Sequence, residues 1–262
     1  MNTRPPAVAG RFYSHSAQYL KSQMDEWLKP TQHHTPIRAL IVPHAGYVFS
    51  GSVAADAYRY LLPEADRIRR VILIGPSHRH YFQGCAIPAA DYFETPLGKI
   101  KIDTQFVEKL KEIDDIEVSD QVHALEHCLE VQLPFLQSCL DDFTLLPLLT
   151  SNVNPAHVAK LIDALWQGED CLLVISSDLS HFHTYSEAQR IDSQTCNMIE
   201  NYEPTLVPEQ ACGSTGINTL LLLAKQRGYT LTRRTLINSG DTDVGDKERV
   251  VGYVSYLISE PQ

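Results

Sequence analysis

The feature that most constrains this chain is a set of six short apolar runs spaced by turns and helix-like stretches. They occupy residues 38–42 (RALIV), 71–74 (VILI), 143–149 (FTLLPLL), 171–175 (CLLVI), 231–237 (LTRRTLI) and 250–258 (VVGYVSYLI). Runs this rich in Val, Ile and Leu suit strands covered on both faces. Between them lie stretches with apolar residues at spacings of three and four, which predict helices over 17–28, 52–61, 104–113, 125–139, 155–166, 185–201 and 216–227. Strands alternating with helices predict an α/β fold with a mainly parallel central sheet flanked by helices. The segment 84–101 contains Gly and Pro and is expected to add an edge hairpin. Nothing in the pattern reads as a linker, and 262 residues lie near the upper limit of one core, so a single domain over 1–262 is expected.

Composition excludes several function classes. The net charge of −10 disfavours nucleic acid, whose phosphates it would repel. The one basic cluster, Arg67, Arg69 and Arg70, is a solvated lead-in to a strand. No apolar run reaches the length of about 20 residues that spans a bilayer, and residues 1–10 lack the apolar segment of a signal peptide, so a cytoplasmic protein with no membrane partner is expected. The six cysteines form no C-x-x-C pair and lie mostly within apolar segments, as reduced, buried small hydrophobes do. Cys212, ahead of an apolar helix, is read the same way, as a structural thiol.

Four of the runs are followed within a few residues by His44, His78, His181 and Asp241. Parallel strands place their carboxyl ends on one side of a sheet, where ligands bind in open α/β folds. Three imidazoles and an acid at that edge form a candidate metal site. Two histidines and a carboxylate with open positions suit Fe(II), while imidazole also suits zinc and copper. A histidine that does not ligate can serve as acid or base. A rival string, His123-x-x-Glu126-His127, matches a metalloprotease pattern but is short in a chain with 11 histidines. His15, His33, His34, His80, His157 and His183 are read as surface or core residues.

The segments Arg4–Tyr13, Pro43–Tyr47, Gly75–His78, Glu126-His127 with Glu130, Ser176–Asp178 with His181, Ala211–Gly213, Ser239–Asp241 and Val250–Tyr253 resemble, in order, those of the Memo family, which also appears as protein B of the AmmeMemoRadiSam system. The resemblance implies one Memo-like domain with the fold of class III extradiol dioxygenases. It implies that His44 and His78 ligate a metal, that His181 acts as the base, and that Asp241 is the third ligand, with Asp243 and Asp246 as alternatives. Animal members resemble this chain but carry a cysteine at the position matched to Asp241, so the carboxylate here points toward Fe(II), with Zn or Cu as alternatives. Glu126, His127, Glu130, Asp178 and Tyr47 are expected to line or support the pocket. The implied function is a non-haem iron, dioxygenase-like oxidoreductase on a small aromatic or enolic molecule. The alternatives are a metal- or peptide-binding adaptor, or a partner of radical-SAM and AMMECR-type proteins.

Overall fold

A computed structural model of the protein describes residues 1–33 and 35–261; His34 lies outside the described residues. The chain runs β1 (Thr3–Arg4), α1 (Ala17–Trp27), β2 (Ile37–Val42), α2 (Tyr47–Tyr58), β3 (Arg70–Pro76), β4 (Cys85–Ile87), β5 (Tyr92–Thr95), β6 (Gly98–Ile102), α3 (Thr104–Leu110), β7 (Ile116–Val118) and α4 (Asp120–Ala124). It continues through α5 (Leu133–Cys139), β8 (Thr144–Thr150), α6 (Pro155–Leu165), β9 (Cys171–Ser176), β10 (His181–His183), α7 (Tyr185–Glu200), α8 (Ser214–Arg227), β11 (Thr230–Asn238) and β12 (Val250–Ser259).

All the strands join one twelve-stranded sheet. Its centre is the parallel set β8-β3-β9-β2, made by four of the six apolar runs. Side chains alternate faces along each strand, so each run feeds two cores. Leu40, Val42, Val71 and Leu73 pack on one side with α1, α2 and α5, and Ala39, Ile41, Ile72 and Ile74 pack on the other with α6 and α8. The hairpin expected near residues 84–101 is β5 paired with β6, with β4 bound separately to β8 and β7.

Local chemistry sets the helix ends. Ser16, Asp103 and Asn154 accept a backbone N–H of the first turn through their side chains at α1, α3 and α6. Gly228 closes α8 at φ 71°, a conformation that glycine adopts without steric cost. The helix expected over 125–139 forms only from Glu130 onward, as a short 3-10 turn leading into α5. Before it, the Glu126 carboxylate binds the backbone N–H of Cys128, which competes with helical bonding.

The arrangement around β12 decides what reaches the site. β11 pairs along the whole of one edge of β12, from Thr230 opposite Ser259 to Asn238 opposite Gly252. β2 and β10 therefore share the other edge. β2 takes Tyr256 to Ser259, and β10 takes Val250 and Val251. His181 thus sits just beyond the carboxyl end of β2, where His44 emerges, while the end of β11 lies across β12 from both.

Candidate metal centre

His44 follows β2, His78 follows β3, and His127 lies in the non-helical segment before α5. Each offers a ring nitrogen within 4.8 Å of the other two. Their ring centroids are 4.7 to 5.4 Å apart. Close packing at Gly75 brings β3 against the segment that carries His127: a Cβ there would lie 2.7 Å from Cys128 Sγ and 2.9 Å from Leu129. His127 is held between two rings, stacked on His78 and on Phe12 of the N-terminal segment at 4.5 Å.

Hydrogen bonds determine which nitrogen faces inward. The Ser176 hydroxyl donates its single proton to the Cys128 carbonyl at 2.7 Å and accepts from Gln132 Nε2 at 3.0 Å. The Gln132 amide is itself oriented, because it also donates to the Pro43 carbonyl and accepts from the Tyr58 hydroxyl. His44 Nδ1, 2.9 Å from Ser176 Oγ, must then donate, which leaves a lone pair on Nε2. His78 Nδ1 sits 2.9 Å from Glu126 Oε2 and donates to it, so its Nε2 is likewise free to ligate. The same carboxylate accepts the backbone N–H groups of His78 and Cys128 and lies 3.5 Å from His127 Nδ1. Burial alone would raise the Glu126 pKa, but the bonds from His78 outweigh it and hold the group ionised.

Two of the rings, His44 and His127, are held neutral. Burial, followed by the charge of His78, pushes His44 down to about 3. Burial, followed by His44, pushes His127 down to about 4. Neutral imidazoles with inward lone pairs are what a transition metal requires. Nearby, Asp178 accepts the His44 backbone N–H at 2.8 Å, and its other oxygen lies 3.8 Å from His44 Nε2. Burial raises the Asp178 pKa against that hydrogen bond and lowers that of His181 against the pull of Asp178. His181 Nε2 is buried and has no hydrogen-bond partner among the described residues. A polar atom so placed fits a bound group at the centre.

Several expected residues lie elsewhere. Asp241 is exposed, at the end of β11 across β12 from the histidines. Its carboxylate accepts from the Tyr185 hydroxyl and from the Asn238 backbone in a capping box. The structure thus does not bring Asp241 to the site, and the carboxylate argument for iron loses its residue. Of its alternatives, Asp243 is exposed, and Asp246 lines the pocket mouth but spends one oxygen on the backbone of Glu248 and Arg249. Glu130 is buried away from the pocket. It receives Arg4, the Ala7 and Val8 backbone N–H groups and the Tyr13 hydroxyl at 2.7 to 3.0 Å. Tyr47 is a core residue, with its hydroxyl on the Val131 carbonyl and its ring among Tyr13, Trp27 and Phe135. The protease string fails because His123 is buried with Nε2 on the Ala86 carbonyl, at the end of α4.

Cys212 is the residue that sequence reasoning misses. Its Sγ lies 3.3 Å from His44 Nε2 and accepts the Asp178 backbone N–H at 3.4 Å. Gly213 allows this approach, since a Cβ there would meet the Ser176 carbonyl at 2.6 Å. Burial, followed by Asp178, pushes the thiol up to about 12, so in the metal-free protein it is protonated and donates to the His44 lone pair that an ion would take instead. Outside the histidines opens a pocket of about 550 Å³ lined by Phe12, Phe49, His127, Asp178 and Tyr253 among others.

Comparison with known proteins identifies the family. A family model described as Memo-like protein matches residues 4–257. A MEMO1 family protein of Metallosphaera sedula is 32% identical over 98% of this chain and 99% of its own length. One from Aquifex aeolicus is 33% identical over 98% and 100%. The crystal structure of an uncharacterized protein from Escherichia coli K12 covers 85% of this chain and 100% of its own at a TM-score of 0.50 and 15% identity, a likeness of fold alone. With a family match over nearly its whole length and relatives of the same name at about a third identity, this chain belongs to the Memo-like protein family.

Proposed function

We propose that the protein is a metal-dependent oxidoreductase of dioxygenase-like type. Its ion is held by His44, His78 and His127, and its substrate is a small aromatic or enolic molecule that enters the adjoining pocket. The observation that carries this reading is the convergence of three imidazoles, two of them held neutral by burial, with His181, whose Nε2 is buried and unpartnered, near enough to act on His44 electrostatically. A transition metal bound there supplies a Lewis acid and, if it is iron or copper, one-electron chemistry with O2. His181 takes the proton of a substrate hydroxyl on Nε2, and Asp178 stabilises the imidazolium that results. Ser176 and Glu126 keep the His44 and His78 rings in their ligating tautomers. Phe12 stacks over His127 and limits water on that side. Iron is the first choice from the family resemblance, with zinc and copper as alternatives.

Metal content is the test. Untagged protein is reconstituted anaerobically with Fe(II), Zn(II) or Cu(II), and bound metal is counted for the wild type and for His44→Ala, His127→Ala and Asp241→Ala. One ion per chain is expected in the wild type and in Asp241→Ala, with loss in both histidine variants. Retention in His44→Ala and His127→Ala would overturn the ligand set. O2 uptake during a substrate screen then tests the oxidoreductase reading. A second reading, a binding module that docks a peptide or a protein of the radical-SAM or AMMECR type, is favoured by the exposed apolar side chains Val48, Phe182 and Val244. It predicts capture of such a partner without turnover.

A further inference from the structure

The mouth of the pocket carries two arginines that the metal reading does not use. Arg11 comes from the N-terminal segment and Arg249 from the turn before β12, and both line the same 550 Å³ space. The chain has 32 acidic residues against 22 basic ones, and most of its arginines hold a carboxylate. Arg11 and Arg249 are in no ion pair among the described residues. Both are exposed, and two unpaired guanidinium groups on one pocket offer several N–H donors to an anion that enters it.

Arg249 is also held in place. Its guanidinium carbon lies 4.3 Å from the centre of the Phe182 ring, a cation–π stack. Stacking occupies the flat face of the guanidinium and leaves its in-plane N–H groups free to donate. Phe182 adopts φ 70°, a left-handed conformation that a bulky residue rarely takes. That backbone immediately follows His181, so the residue that presents the unpartnered imidazole is joined to the residue that orients Arg249.

The lining also selects among anions. Asp178 and Asp246 border the same pocket, so their charges offset those of the two arginines. The pocket then holds no surplus positive charge for a dianionic phosphate, and a monoanion meets less repulsion from the acidic pair. Phe12 and Phe49 provide apolar surface beside the charged groups. We infer that the pocket takes a small amphipathic monocarboxylate, with its carboxylate held by Arg249 and Arg11 and its apolar body against Phe12 and Phe49. The inference rests on the proposed function only for the identity of this pocket as the substrate site.

The test measures binding of phenylacetate, phenylacetamide and phenyl phosphate to the full chain, both zinc-loaded and EDTA-treated. Methyl chemical shifts of Val244 and Val251 report occupancy of the pocket. Phenylacetate is expected to bind at least about tenfold more tightly than the amide, in the metal-free protein as well. Arg249→Gln and Arg11→Gln should each weaken phenylacetate about tenfold, leaving amide binding and zinc stoichiometry unchanged. Equal affinity for acid and amide, or no loss in either variant, overturns the inference. Tighter binding of phenyl phosphate overturns the choice of a monocarboxylate. If the histidines hold no ion yet the metal-free protein discriminates acid from amide through Arg249, the metal reading fails and this inference stands. If zinc is retained but acid and amide bind alike, this inference fails and the metal reading stands.

Discussion

At the scale of single residues, the centre depends on proton positions more than on coordinates. One buried carboxylate, Glu126, fixes the His78 ring, receives two backbone donors and sits beside His127. Glu126→Gln keeps the shape but replaces a charged acceptor with an amide that can present N–H to His78. We expect zinc affinity to fall by about 10- to 100-fold, measured by chelator competition, with the thermal midpoint of the metal-free protein shifted only slightly. Unchanged zinc affinity would show that His78 does not depend on Glu126 for its tautomer. His44, His78 and His181 are legible in the sequence because each follows an apolar run or its turn, so position on the sheet follows from order in the chain. Asp241 satisfies the same rule and still misses, because its strand pairs on the opposite edge of β12. Strand neighbours are set by long-range pairing that local pattern does not encode. Cys212 is hidden for a related reason: an apolar helix after a cysteine suggests burial, and the close approach permitted by Gly213 shows only in three dimensions.

At the scale of elements, the segment from β1 to Tyr13 behaves as a strap. It crosses to the 3-10 turn before α5 and is tied there by Glu130, whose partners are Arg4, Ala7, Val8 and Tyr13. Arg4 and Glu130 are both nearly inaccessible to water. Breaking such a pair strands a buried charge, at a cost of about 3–5 kcal/mol. Glu130→Gln should therefore lower the urea midpoint substantially and raise amide exchange across residues 4–13. An unchanged midpoint together with unchanged exchange would contradict the strap. Because Phe12 lies on this strap and stacks on His127, the variant should also loosen the pocket roof. Periodicity alone predicts a helix across 125–139, and the side-chain bond of Glu126 to the backbone of Cys128 explains why the first turn is missing.

At the scale of the whole molecule, buried neutral histidines make stability depend on pH. Burial, the largest cause in each case, depresses His44 to about 3, and His123 and His127 each to about 4. Their unfolded values are near 6.5, so below that pH the unfolded chain binds more protons than the native one. Stability from these groups is complete above about pH 6.5 and is lost as pH falls toward 4. With three such groups the slope approaches about 4 kcal/mol per pH unit. Metal-free protein should accordingly melt at progressively lower temperature at pH 7, 6 and 5. A flat profile over that range would show that the three histidines already titrate normally in the native state.

The placement of β12 bears on how the chain is made in the cell. This strand lies beside β2, with Ile258 opposite Ala39. During translation β12 follows β2 only after more than two hundred residues. Until then one flank of a largely apolar strand stays open, the kind of unpaired edge that recruits other chains. Biosynthesis of this protein therefore includes a long interval in which β2 must be shielded by transient contacts or by a chaperone, and β12 ends that interval.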